Sequence, residues 1–162
     1  MILILSGSRN AGKTTVSKLL AERVPYMANL EVDRLREFVY CLTLDESVPI
    51  NLENAASVAK NLVRRGLHVV LNNPLRSEDY EYLKKEFGDI DTPVHAFTLR
   101  PSLQSALSNR GSREPTRDDL LWIREQYNPA SPIYIPDIGT VIDNSEKTPE
   151  EVAEIILSKA GI

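Results

Sequence analysis

Short apolar runs alternate along this chain with longer stretches in which apolar residues recur every three or four positions. The first run, residues 2–5 (ILIL), is too short for a helix and stops at a glycine-containing segment, the pattern of a buried strand. From Lys13 the spacing lengthens: Val16, Leu19, Leu20 and Val24 trace one helical face until Pro25 interrupts it. Residues 29–32 predict a second strand, leading through Asp33 into a short helix with Leu35, Phe38 and Val39. The stretch 43–51, with Asp45, Ser47 and Pro49, predicts a loop. A helix over 52–65 closed by Gly66 and a third strand over 67–71 follow. Ser77 is placed to cap a helix bearing Tyr80, Leu83 and Phe87, which Gly88 ends.

The same alternation continues to the end. Residues 94–99 predict a fourth strand, and Pro101 opens the next helix at a first-turn position. That helix breaks over 109–114, after which Thr116 and Asp119 cap another running to Tyr127. Residues 140–142 predict the fifth strand, and Thr148, Pro149 and Glu151 start a last helix ending at Gly161. Strands alternating with helices imply right-handed crossovers and a mainly parallel sheet covered on both faces. Ligands of such sheets sit beyond the carboxyl ends of the strands.

Composition narrows the class without naming a chemistry. The 162 residues, 42% of them apolar and 26% charged, suit one domain over 1–162 with a real core. A net charge of −4 gives no global nucleic-acid footprint, and no apolar run has the length of a membrane span. The one cysteine, Cys41, excludes an internal disulfide and is expected to be a buried thiol within the apolar segment FVYCL. With no charged leader before the first strand, the expectation is a cytoplasmic protein. The pattern carries no signal of oligomeric state.

Residues 7–15, GSRNAGKTT, change the picture. Gly7, Gly12, Lys13 and Thr14 complete G-x-x-x-x-G-K-[ST], directly after a strand and opening a helix. A polyphosphate needs several donors converging on a small volume, and consecutive backbone N–H groups in a tight loop supply them. Gly7 and Gly12 allow the backbone angles; Asn10, Ala11 and Gly12 line the cradle; the helix adds its positive end. Lys13 can reach the β- and γ-phosphates, the Thr14 hydroxyl can coordinate Mg²⁺, and Thr15 is placed for the α-phosphate. No G-x-G-x-x-G is present, which excludes a dinucleotide fingerprint.

Two further groups suit phosphoryl transfer. Asp33, just past the second strand, lies on the same rim as the loop and can accept the proton of an acceptor hydroxyl. Arg36, one turn later, shares its face and can hold an anionic group of the acceptor. Between two helices, Arg110 and Arg113 in NRGSR suit a lid, over about 109–116, that neutralises charge on the moving phosphoryl group. Arg100 stays unassigned, while Arg117 and Arg124 are expected to face water. His68 and His95 read as structural, since neither has a Cys or His partner at metal spacing, and Trp122 and Tyr127 read as a packed helix face.

GSRNAGKT, VDRLR and NRGSR, in that order, resemble the P-loop kinases over essentially the whole chain. The nearest subgroups are polynucleotide 5′-hydroxyl kinases, chloramphenicol phosphotransferase-like and gluconate kinase-like enzymes. The resemblance implies the P-loop NTPase three-layer α/β sandwich, a five-stranded parallel sheet in the order 2-3-1-4-5 and a lid. It implies ATP with Mg²⁺, Asp33 as base, Arg36 as acceptor clamp, and an adenine pocket between the lid helix and residues 143–146.

One departure stands out. The third strand of these enzymes usually ends in an aspartate near the metal, and here it ends in Asn72 and Asn73. An amide there can reach the ion only through a bound water and adds no charge, so Asn72 is expected at most to hold such a water. The reading is thus an ATP-dependent kinase acting on a hydroxyl of a small molecule. A polynucleotide 5′-hydroxyl kinase is the alternative acceptor, and a nucleotide-binding switch or interaction module with weak ATPase activity is the alternative class.

Overall fold

The computed structural model describes residues 1–109 and 114–162; Arg110 and Arg113 lie outside the described residues. Five strands form one parallel sheet: β1 (Ile2–Gly7), β2 (Met27–Glu31), β3 (His68–Asn72), β4 (Val94–Leu99) and β5 (Thr140–Ile142). Their order is β2-β3-β1-β4-β5, the arrangement the resemblance implies. β1 is central and buried along all six residues, which is why it reads as a continuous apolar run.

Alternate β1 residues feed two cores. Leu3 and Leu5, with Val70, Phe97 and Leu99, pack against Val16 and Leu20 of α1 (Lys13–Arg23) and Val152 and Ile156 of α7 (Pro149–Ala160). Ile2 and Ile4, with Val69 and Leu71, pack against Leu52, Ala55 and Ala59 of α3 (Leu44–Arg64) and Leu83 and Phe87 of α4 (Ser77–Phe87). Each large aliphatic side chain so buried contributes about 1.5–3 kcal/mol. The remaining helices are short: α2 (Val32–Leu35), continued by a 3₁₀ turn at Arg36–Phe38, then α5 (Leu103–Leu107) and α6 (Arg117–Tyr127). Because every strand runs the same way, Gly7, Glu31, Asn72, Leu99 and Ile142 end on one edge. None of the described helices is long and apolar enough to cross a membrane.

The structure corrects several sequence expectations. Residues 43–51 are not a loop. Thr43 caps α3 in a capping box with Glu46, and the helix continues through Pro49 for 21 residues. One proline costs a single intrahelical bond, which the cap and the burial of Leu52, Ala55 and Ala56 outweigh. Cys41 is exposed rather than buried, as are its neighbours Phe38 and Tyr40: FVYCL follows the 3₁₀ turn instead of entering a core. Ser77 is the first residue of α4 and Arg76 holds the cap position, its backbone N–H donating to Asp79 Oδ2 at 3.0 Å. Pro101 precedes the Ser102 cap of α5 rather than opening the helix. β2 ends at Glu31, so Val32 and Asp33 already belong to α2. The predicted caps Thr116 and Thr148 are both present as capping boxes.

Candidate active site

The loop from Gly7 to Gly12 links the central strand to α1, and its geometry rests on particular residues. Gly7 has φ 140°, and a Cβ there would stand 2.5 Å from the Leu99 carbonyl oxygen. Asn10 adopts φ 61°, a left-handed conformation asparagine tolerates better than most residues. Gly12, at φ 91°, is the N-cap of α1, which has no side-chain cap and no acidic residue in its first turn. By contrast α3, α6 and α7 each begin with a capping box, α4 with the Arg76 N–H on Asp79, and all four carry two first-turn acids. Among the described residues the positive end of α1 thus has neither a side-chain cap nor a first-turn acid to offset it.

Lys13 is buried and turns back onto the loop, where Nζ donates to the carbonyls of Gly7 at 3.0 Å and Ser8 at 2.8 Å. Burial pushes its ammonium down to about 8; the Asp33 carboxylate pulls upward against this, and the Arg9 guanidinium adds to the lowering. Ala11 N–H closes the loop on the Ser8 carbonyl at 3.2 Å. The Ser8 hydroxyl is buried with no hydrogen-bond partner. Thr14 and Thr15, by contrast, are exposed on the first turn of α1.

Asn72 sits beside this turn but is engaged elsewhere. Its Nδ2 donates to Ser17 Oγ at 2.8 Å and to Asn29 Oδ1 at 3.4 Å, and Ser17 in turn donates to the Thr14 carbonyl at 3.1 Å. The amide thus ties β3 to α1 and β2, a use for this polar residue at the strand end that its position alone did not disclose. Asn73 is buried next to it.

Asp33 and Arg36 come together as the sequence predicts. Both line an open cavity of about 270 Å³ with Glu37, Val39, Tyr40 and Leu42. Among the described residues neither side chain makes a hydrogen bond or ion pair, yet the field of Asp33 reaches Lys13. The helical fragment holding them is one turn of α2 plus the 3₁₀ turn, placed by buried Val32 at the end of β2.

Sequence reasoning missed three connections to the loop. Arg9 faces α6, Asn10 faces α5, and the loop following β5 returns through Asn144 to the Ala11 carbonyl. No motif marks them, because each joins residues about a hundred positions apart. Arg100 proves to be a fastening: its guanidinium lies 4.8 Å from the Tyr127 ring centre and 5.7 Å from that of Tyr134, donates to the Ile135 carbonyl and pairs with Asp137 at 3.1 Å. Trp122 lies under the Arg9 guanidinium, and Tyr127 donates to the Pro101 carbonyl. Among the described residues no three His, Cys, Asp or Glu side chains form a metal cluster.

No family model matches the sequence, and no curated protein matches it. Solved structures do. An APS kinase from Mycobacterium tuberculosis in complex with AMPPNP and APS superposes with a TM-score of 0.71 at 16% identity, covering 99% of this chain and 97% of its own. A sugar kinase from Janibacter sp. HTCC2649 gives 0.67 at 18%, covering 97% and 92%. A gluconokinase from Sinorhizobium meliloti 1021 gives 0.66 at 18%, covering 98% and 90%. With the phosphate-loop geometry and the strand order, these likenesses establish that the chain has the fold of the small P-loop kinases.

Proposed function

We propose that the protein is an ATP-dependent phosphotransferase that moves the γ-phosphoryl group of ATP to a hydroxyl of a small molecule. The observation that carries this is a juxtaposition. Asp33 and Arg36 line one cavity at the end of β2, and the Asp33 carboxylate acts electrostatically on Lys13 of the uncapped loop. A phosphate cradle alone serves a switch equally well; a carboxylate beside it with no partner among the described residues serves transfer.

The roles follow from the chemistry. Backbone N–H groups of Asn10 and of Gly12 to Thr15, with the open end of α1, hold the phosphates, while the Ala11 N–H stays on the Ser8 carbonyl and Lys13 leaves its two carbonyls to meet the β- and γ-oxygens. Asp33 accepts the acceptor's proton as its oxygen attacks phosphorus, and Arg36 holds an anionic part of the acceptor in line. From the sequence, Arg110 and Arg113 are assigned to the charge on the moving group. Magnesium fits this donor set: it takes hard oxygen ligands and is normally held by one or two protein groups together with substrate phosphates. The Thr14 hydroxyl, exposed on the first turn, would hold it, and Asp33, whose field reaches Lys13, is a candidate for added negative charge. When bound, the ion neutralises phosphate charge. Asn72, committed to Ser17 and Asn29, is a weaker candidate for a bound water than the sequence alone suggests.

A cavity of about 270 Å³ favours a small acceptor over a chain threaded past it. One observation favours the polynucleotide alternative: Phe38 and Tyr40, 78% and 87% exposed beside Arg36, offer faces on which bases can stack. The deciding experiment incubates γ-labelled ATP and Mg²⁺ with a metabolite extract or a 5′-hydroxyl oligonucleotide, using wild type and Asp33→Asn. Asp33-dependent label on a metabolite supports the reading, label on the oligonucleotide selects the alternative acceptor, and no label on either favours the nucleotide-binding switch.

A further inference from the structure

The strand order decides where the two halves of a bound nucleotide must lie. The acceptor residues sit at the end of β2, on one side of the central loop. In-line transfer puts the leaving ADP opposite the acceptor, so the nucleoside extends over the ends of β4 and β5. The elements there are α5, α6 and the loop after β5.

Three consecutive residues of the phosphate loop each grip one of these elements. Arg9 takes α6: its backbone N–H donates to Gln126 Oε1 at 2.6 Å, its Nη1 donates to Asp119 Oδ1 at 2.9 Å, and its guanidinium lies 5.3 Å from the Trp122 ring centre. Asn10 takes the end of α5, where its Nδ2 donates to the Ala106 and Ser108 carbonyls at 2.8 and 2.9 Å. Such carbonyls at a helix end have no partner within the helix. Ala11 takes the loop after β5, its carbonyl accepting from buried Asn144 Nδ2 at 2.9 Å. That loop is itself docked on the start of α5: Ser102 N–H donates to Ser145 Oγ at 2.9 Å, and Ser105 Oγ donates to the Ser145 carbonyl at 3.1 Å.

These bonds close a ring from the phosphate loop through α5 and the loop after β5 and back, with α6 hung on the same loop. The Arg9 N–H, spent on Gln126, is not available to phosphate. We infer that Arg9, Asn10 and Asn144 are positioning residues that fix the nucleoside-side wall to the phosphate cradle, so that the two ends of a nucleotide meet one preorganised unit. This rests on the loop's being a nucleotide phosphate cradle. Preorganisation of this kind raises affinity only for a ligand that spans both parts. It has no bearing on one that occupies the cradle alone.

The experiment compares ATP with inorganic tripolyphosphate by calorimetry, in wild type, Asn144→Ser and Asn144→Ala. Each variant is expected to weaken ATP about three- to tenfold, the range of one or two lost hydrogen bonds, while tripolyphosphate stays within about twofold. Arg9→Ala and Asn10→Gly alter residues of the cradle loop itself and are read by hydrogen exchange, not by the ligand split. Hydrogen exchange of α5 and α6 amides should rise in the same variants, so a variant too unstable for calorimetry is still read there against its melting temperature. Equal weakening of both ligands, or no change in either, overturns the brace and leaves the cradle standing. If wild type binds neither ligand, the cradle reading itself falls, and the brace with it.

Discussion

The two sides of this site are built in opposite ways. On the phosphate side five residues are held: Gly7 by close approach to Leu99, Arg9, Asn10 and Ala11 by three separate elements, and Lys13 by two carbonyls. On the proposed acceptor side, one turn of helix and a 3₁₀ turn ending in exposed Phe38 carry Asp33 and Arg36, whose side chains are unengaged among the described residues, and exposed Tyr40 and Cys41 follow. The phosphoryl group to be moved is common to every nucleotide, so its cradle can be rigid in advance. An acceptor with its own shape is better met by side chains that have no prior partner, at the cost of ordering them on binding.

The largest effects should come from breaking the rigid side. Lys13→Ala is expected to lower transfer by at least about a hundredfold, read from initial rates, because it removes the buried ammonium of the cradle. Gly7→Ala should compare in severity but act on folding, since its methyl would meet the Leu99 carbonyl; a normal melting temperature in that variant would refute the packing argument. Asp33→Asn should reduce transfer about a hundred- to ten-thousandfold while nucleotide affinity stays within a few-fold. Arg36→Ala should raise the acceptor KM about ten- to a hundredfold with little change in the KM for ATP. An equal rise in both would dissolve the distinction between the two sides.

A milder effect should come from pH. Free Lys13 loses its proton near pH 8, whereas phosphate holds the charged form, so nucleotide affinity should fall by up to about tenfold per unit above that pH, with proton uptake on binding. Calorimetry in two buffers of different ionisation enthalpy would detect that uptake. Stability should move the other way. The unfolded lysine keeps its proton to about 10.5 and the native one only to about 8, so the unfolded chain binds more protons between them and stability rises with pH across that window. Least of all, Cys41→Ser should shift the melting temperature by no more than about 1 °C, and native Cys41 should react freely with a thiol reagent.

Legibility in the sequence followed the range of the interactions. β1, the phosphate loop, the helix after it and the Thr116 and Thr148 caps were readable because each depends on residues within a few positions of one another. The start of α3 was misread for a local reason: Asp45, Ser47 and Pro49 are turn formers, but they follow a Thr43–Glu46 capping box that commits the chain to helix. Cys41 was misread for the opposite reason, since an apolar run says nothing about whether a partner element lies over it.

By itself the sequence determined the α/β alternation, the nine-residue motif with its glycines, lysine and threonines, and the placing of Asp33 and Arg36 one turn apart. Local backbone preference and helical spacing suffice for all three. Only the tertiary structure decided that Asn72 joins α1 to the sheet, that Arg100 fastens the segment before β5, and that Arg9, Asn10 and Asn144 bind the loop to its surroundings. Side chains such as these have no fixed partner in the unfolded chain. Their partners lie 35 to 133 positions away and become neighbours only when the parallel sheet brings its carboxyl ends to one edge.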